Sequence, residues 1–311
     1  MERAAPGTAA TFYANPQFSQ AVGPTFAFPS VTGNPNLIPE TADTWTVGLV
    51  FDSPFESELW RNLRVSIDYY FIKVDDAIGP QSVDVAQRQC FDPAFNPTFD
   101  VNNTFCDGIN RVANDGALGD IRLTYYNNGR FETSGIDTQI DWAFKLGPGQ
   151  FSLNSIFTYL DSLKSSELAS DPLVEFAGSL GPTQNELNAG SFEWKMLSTF
   201  GYSINQWNVS LQWQHLPSIK SATYPANHAT TIMGAPSYDL IALYGSFAFS
   251  DVVIRAGVEN LFDEAPPLLE RNSAPPPFLL AGGTFGGTDA SNPALYDFIG
   301  RRFYIGATMK F

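Results

Sequence analysis

The sequence predicts an all-β chain: an antiparallel up-and-down transmembrane β-barrel segment of about nine strands, with long external loops and short periplasmic turns. Three observations predict it. Strict apolar/polar alternation recurs along the chain, and successive strand side chains point to opposite faces, so each stretch has one oily and one wet face. Only 16% of the 311 residues are charged although 44% are hydrophobic and 14% aromatic, a deficit against the soluble average of about 25% that a lipid-facing surface accounts for. Connections alternate between short and long, strand after strand, which a soluble Greek-key sandwich does not do so regularly.

The same composition excludes other classes. No apolar run approaches the roughly 18 residues of a spanning helix, and no helical heptad or internal repeat is visible, so a membrane span here is made of strands. A net charge of −15 and a pI near 4.4 exclude nucleic acid as a partner, because phosphate contacts require a basic face. Residues 1–6 lack the charged, apolar, small layout of a secretory signal.

Residues 1–40 carry six prolines and little alternation, so they read as an irregular external loop and strand lead-in, with 41–311 as the barrel segment. Trp45, Val47, Leu49 and Phe51 then share one face of a first strand. Leu63, Val65, Ile67, Tyr69 and Phe71 share one face of a second. Alternation stops over residues 75–119, which are too long and polar for an ordinary connection and read as an exposed loop. Cys90 and Cys106 lie inside that loop with no CxxC or histidine cluster nearby, which favours a local disulfide over a metal site; two free buried thiols are the alternative. From Ile121 to Phe144 the chain reads as one long extended run in which Ile136, Ile140 and Trp142 oppose Asp137 and Asp141, so those carboxylates face the lumen or lie beyond the bilayer.

After a turn at Gly147-Pro148 the rhythm continues. Strands at 151–159 and 194–202 flank a long loop; a turn at Asn205-Gln206 leads to a strand at 207–213; a second long loop precedes a strand at 238–249; and Ser250-Asp251 turns into 252–261. The expected lipid face comprises Trp45, Val47, Leu49, Val65, Ile67, Tyr69, Ile140, Trp142, Phe157, Phe200, Val209, Leu211, Leu240, Phe303, Ile305 and Met309. A Pro/Gly-rich loop leads to the last strand, where Phe303, Ile305, Ala307, Met309 and Phe311 oppose Arg302, Tyr304, Gly306 and Thr308.

Four phrases carry a family resemblance. Gly33-Asn34-Pro35-Asn36-Leu37-Ile38-Pro39-Glu40-Thr41 resembles the lead-in to a barrel strand of TonB-dependent receptors, Thr133-Ser134-Gly135-Ile136-Asp137 the entry of a descending strand, and Asn260-Leu261-Phe262-Asp263 the end of the penultimate strand. The last strand, with Tyr304, Gly306, Met309 and Phe311, resembles the signal that the barrel-assembly machinery reads. The strand count is odd, whereas bacterial single-chain barrels have even numbers, and the family's plugged barrels have about 22 strands. The chain therefore resembles the C-terminal part of such a barrel, with plug domain, coupling box and signal peptide outside the sequence.

The resemblance implies a bacterial outer-membrane receptor that binds a scarce nutrient, of the siderophore, cobalamin or oligosaccharide class, and imports it with energy coupled from the inner membrane. It implies as partners outer-membrane lipid, the barrel-assembly machinery, the N-terminal barrel strands and plug, and through them TonB. The alternative is a non-transporting structural barrel piece, a gene remnant or part of a split barrel. No cofactor is expected, and no catalytic constellation stands out, so the chain does not read as an enzyme. His215 and His228, the only histidines, have no ligand spacing, and 282–287 is Gly-rich without the Lys-Ser/Thr of a phosphate loop. The loop aromatics Phe91, Phe95, Phe99, Phe105 and Tyr224 either stack on ligand rings or pack the loops together.

Overall fold

The computed structural model describes residues 29–100, 102–111, 118–179, 191–220, 234–267 and 295–309. Fourteen strands are described: β1 (Pro29–Thr32), β2 (Thr41–Asp52), β3 (Leu63–Pro80), β4 (Ile109–Arg111), β5 (Leu118–Leu146), β6 (Gly149–Ser166), β7 (Val174–Glu175), β8 (Trp194–Ile204), β9 (Trp207–Leu216), β10 (Ile219–Lys220), β11 (Gly234–Ala235), β12 (Tyr238–Phe249), β13 (Val252–Glu259) and β14 (Arg302–Met309). One helix, α1 (Val83–Phe91), and a 3-10 turn at Thr104–Cys106 complete the described elements. Nine strands form one path in the order β14-β13-β12-β9-β8-β6-β5-β3-β2. Among the described residues β2 and β14 end that path and do not pair with each other.

Each expected strand is present, and the tight turns fall where the sequence places them. Gly147, Asn205 and Ser250 carry φ of 59°, 51° and 51°, the left-handed conformation a two-residue hairpin turn requires and that glycine and asparagine reach most cheaply. Strands β8, β9 and β12 have 11, 10 and 12 residues, matching the 9–11 or so that cross a bilayer at a tilt. β5, with 29 residues, far exceeds that length, so part of it lies beyond the hydrocarbon.

The chain divides into two compact units. The unit of residues 43–73, 132–165 and 174–311 holds the two-faced sheet. A buried apolar cluster lies on its polar side: Leu216, Ile219, Ala235, Tyr238 and Tyr296, with Phe192, Leu240 and Leu295 against it. The other unit, 1–42, 74–131 and 166–173, has a small core of Ala86, Ile121 and Leu123, packed by Val83 and Ile109.

Residues 75–119 are not simply an exposed loop. β3 runs on to Pro80, and Ser82 then caps α1 by accepting a hydrogen bond from the Val85 N–H at 3.1 Å. Val85, Ala86, Gln89 and Cys90 of α1 are buried. Cys90 and Cys106 are joined, with Cα atoms 4.8 Å apart. Asn96, fully buried, fills the ring they close: its Nδ2 donates to the carbonyls of Cys90 and Asp100, both at 2.9 Å, and its Oδ1 accepts from the Asp100 N–H at 3.1 Å. The lead-in also carries an element. β1 pairs in parallel with residues 121–124 of β5, and Asn127 brackets Ile38 by accepting from its N–H at 2.9 Å and donating to its carbonyl at 2.7 Å.

Closing a ring over a sequence separation of 16 removes about 3 kcal/mol of unfolded-chain entropy. Replacing both cysteines by serine is expected to lower the protection of the α1 amides against hydrogen exchange by about that amount. Unchanged protection would show that Asn96 alone holds the segment.

Candidate functional site

Strand register sorts the side chains of the sheet into two faces. Leu153 pairs with Phe200, Phe200 with Leu211, Leu211 with Leu243, Leu243 with Val258 and Val258 with Phe303, so these lie on one side. Asn154, Thr199, Gln212, Ala242 and the positions in step with them lie on the other. The first face is apolar and, among the described residues, has no protein covering: Trp45, Val47 and Ile305 are 71%, 70% and 80% exposed. None of the sixteen residues expected on the lipid face is buried.

One of the sixteen is misassigned. Leu240 pairs with Gln214, which puts it on the polar side against Tyr238 and Leu216. Leu240 and Ile241 are adjacent and both apolar, so alternation alone left the choice of face to the register with β9.

Aromatic clusters mark both ends of the apolar face. Toward the tight turns, Trp142 stacks on Trp60 (5.1 Å) and tilts against Phe144 (4.7 Å), Phe144 meets Phe151 (5.0 Å), and Trp207 meets Phe247 (4.4 Å). Toward the long connections, His215 stacks on Trp194 (4.7 Å). Asp239 Oδ1 lies 2.7 Å from His215 Nδ1 and accepts from Trp213 Nε1 at 2.7 Å. Nothing local marks this pairing, because His215 and Asp239 are 24 residues apart and meet only through the β9–β12 register.

The polar face is bonded into a wall. Asp141 accepts from Asn154 at 2.6 Å and from Gln139 at 2.8 Å, which places this carboxylate on the polar side as its sequence position required. Arg64 donates to Asp52 (2.7 Å), Arg255 to Thr308 (3.0 Å), and Arg302 to both Glu259 (2.7 Å) and Asp297 (3.0 Å). Tyrosine rings cross glycines in this sheet. At Gly257 a Cβ would overlap Tyr304 and Tyr244, at Gly135 it would meet Tyr70, and at Gly149 Tyr202.

Three of the four motif phrases now have a physical reading. Gly135 admits Tyr70, while Thr133 donates to the Ser162 carbonyl (3.1 Å) and Ser134 to Asp161 (3.0 Å). Asn260, at a φ of 48°, donates to the Glu264 carbonyl (2.9 Å) and accepts from its N–H (2.7 Å), and Asp263 accepts the Arg301 N–H at the start of β14 (2.9 Å). In the lead-in, Asn34 donates to the Tyr125 carbonyl at 2.9 Å. In the terminal phrase Tyr304 lies over Gly257, Gly306 faces open space and Met309 is exposed; Phe311 lies outside the described residues.

Of the loop aromatics, Phe95 and Phe105 meet edge to face at 6.2 Å on the disulfide-closed ring, and Phe105 is exposed. Phe91 and Phe99 are half-buried, and Tyr224 lies outside the described residues. In the same unit Asp171 ties two arginines, accepting from Arg88 at 2.5 Å through its carboxylate and from Arg130 at 2.7 Å through its carbonyl. Burial pushes the neighbouring Glu167 carboxyl above its ordinary range, against the pull of Arg88. Among the described residues no group of His, Cys, Asp and Glu is arranged to hold a metal ion.

An apolar face without protein cover, backed by a bonded polar wall and joined at one end by two-residue turns, defines the wall of an outer-membrane-type β-barrel. The chain belongs to the TonB dependent receptor-like β-barrel family, whose model matches residues 4–261, and is a protein of the bacterial outer membrane. Among solved structures, a ferric enterobactin receptor mutant from Pseudomonas aeruginosa superposes with a TM-score of 0.54 at 15% identity, over 91% of this chain and 33% of that one. The siderophore receptor PirA from Acinetobacter baumannii gives 0.50 at 19% identity, over 90% and 33%. The outer membrane transporter YddB from Escherichia coli gives 0.52 at 11%, over 92% and 35%. The chain thus spans about a third of the length of these proteins. No curated protein sequence matches it.

Two outcomes test the wall. Gly257→Val forces a branched side chain into the Tyr244 and Tyr304 rings and is expected to cost about 1–3 kcal/mol, read as a lower urea midpoint of the protein refolded in lipid vesicles. Adding Tyr304→Ala is expected to recover part of that loss, and a midpoint insensitive to Gly257→Val would mean the rings move freely. The second outcome concerns acid. Partial burial raises the Asp297 carboxyl, but the Arg302 hydrogen bond, the Ile299 N–H and the Arg302 charge together outweigh it and hold the group below the ordinary range. Its stabilisation is therefore complete above the unfolded-state value of about 3.9 and lost as pH falls through the folded one. Asp297→Asn is expected to flatten the acid limb of the stability curve; an unchanged limb would remove Asp297 from the account.

Proposed function

We propose that this chain forms part of the barrel wall of a TonB-dependent outer-membrane transporter that takes up a nutrient of the siderophore, cobalamin or oligosaccharide class. The family match over residues 4–261 carries the reading. The bonded polar wall supports it, since a lumen that passes polar cargo needs hydrogen-bonding groups already held in place. The Phe95–Phe105 pair offers an aromatic surface on a ring held by the disulfide and Asn96, where a ligand ring would stack. Coupling would run through a plug domain to TonB, with assembly by the barrel-assembly machinery reading the strand that carries Tyr304, Gly306, Met309 and Phe311.

Ferric siderophores are the first class to test, because receptors for them share this fold. Deleting the gene is expected to abolish uptake of one labelled compound from a panel of ferric siderophores, cobalamin and oligosaccharides, with uptake restored by the gene but not in a strain lacking TonB. Phe105→Ala is expected to weaken uptake of that compound about tenfold, the loss of roughly one stacking contact's 1.4 kcal/mol. Unaltered uptake of every compound after deletion would refute the transport reading.

A further inference from the structure

The connection between β2 and β3, residues 53–62, stands apart from the two-residue turns at the same end. It is folded: the N–H groups of Trp60 and Arg61 both donate to the Ser57 carbonyl, at 3.1 and 3.0 Å, forming one helical turn. It also leans to one side. Trp142 Nε1 donates to the Leu59 carbonyl at 2.7 Å, Asn62 Nδ2 donates to the Ala143 carbonyl at 3.2 Å, and the Trp60 ring lies parallel to that of Trp142 at 5.1 Å. Trp142 belongs to the apolar face, because it packs with Phe144 on Phe151, and Phe151 pairs with Tyr202 and Tyr202 with Val209 on that face. The connection is therefore drawn against the oily outside of the sheet. Its own apolar side chains nevertheless stay uncovered: Phe55, Leu59 and Trp60 are all exposed, interleaved with the exposed Glu56, Glu58 and Arg61.

We infer that residues 53–62 are an interfacial anchor seated in the periplasmic leaflet of the outer membrane, with Phe55, Leu59 and Trp60 among phospholipid acyl chains and Glu56, Glu58 and Arg61 at the headgroups. Phospholipid is the occupant because the Trp60–Trp142 stack makes the connection continuous with the lipid-facing surface. A protein partner would leave that continuity without a purpose. Trp with flanking charged groups is also the side-chain combination that settles at a membrane interface, one end apolar and the other wet. The inference rests on the outer-membrane location and not on the nutrient carried.

The test is photo-crosslinking of the protein in its own outer membrane, with benzoylphenylalanine placed singly at Phe55, at Leu211 on the lipid face and at Asp251 in a tight turn. The expected result is a mass increase of one phospholipid at Phe55 and at Leu211, and none at Asp251. An adduct at Phe55 to a second copy or to a periplasmic protein overturns the anchor, as does no adduct there while Leu211 captures lipid. Failure at Leu211 as well overturns the assignment of the outward face on which the anchor depends.

Discussion

Everything in this sheet follows from the need to satisfy backbone N–H and C=O groups where no water can reach them. In hydrocarbon an unpaired group costs several kcal/mol, so a spanning strand must give all its hydrogen bonds to neighbouring strands. The antiparallel ladders from β6 to β14 do this pair by pair. The same constraint marks where the sheet is incomplete by itself. Among the described residues β2 and β14 each pair along one edge only, and both carry highly exposed apolar residues, among them Trp45 and Ile305. Edges of that kind persist in a membrane only within a closed wall, and the match to about a third of each related receptor fits a chain that supplies one arc of such a wall.

Pairing alone does not fix where rings and charges go; glycine and register do. The two rings across Gly257 cover a backbone position that has no side chain of its own, so the polar face stays packed where the strands twist. Beside them Arg302 binds Glu259 and Asp297 together, joining β13, β14 and the segment just before β14. The Asn260 and Asp263 bonds act at the same place, with left-handed backbone at both residues.

The sequence showed the nine-strand path because period-two alternation is strong wherever one face meets lipid and the other does not. It failed where that asymmetry fades. β3 continues through Lys73, Asp75 and Asp76 to Pro80, but there Asp76, with left-handed backbone at φ 57°, falls between Val74 and Ile78, so the alternation that marks Leu63 to Phe71 breaks while the strand goes on. α1 has one buried flank and only nine residues among Asp, Asn and Pro, too short for a helical period to rise above its surroundings. The β1–β5 pairing was hidden for another reason: a four-residue strand pairing in parallel with residues 92 positions away leaves no local signal. The cysteine pair was legible by its place within one loop, whereas nothing in the sequence marks Asn96 as the residue that fills the ring.

The outward Asp239 marks one boundary of the lipid-facing surface. Charge on a lipid-facing surface is penalised most at mid-bilayer and little at the interface, so the half-exposed Asp239, held by His215 and Trp213, belongs where hydrocarbon ends. On β9 the other limit is Trp207, stacked on Phe247 beside the tight turn. His215 and Trp207 are 8 residues apart (215 − 207), which at a rise of about 3.3 Å is about 26 Å along the strand, and about 20 Å along the membrane normal once the strand tilts by about 40°. That distance falls a few ångströms short of the roughly 25 Å apolar band of outer-membrane barrels, whose membrane is thinner than the average bilayer. Leu216 and Tyr238 lie at the His215 and Asp239 end of β9 and β12 but on the polar side, so with Ile219 and Tyr296 they leave water by packing against one another and not by facing lipid.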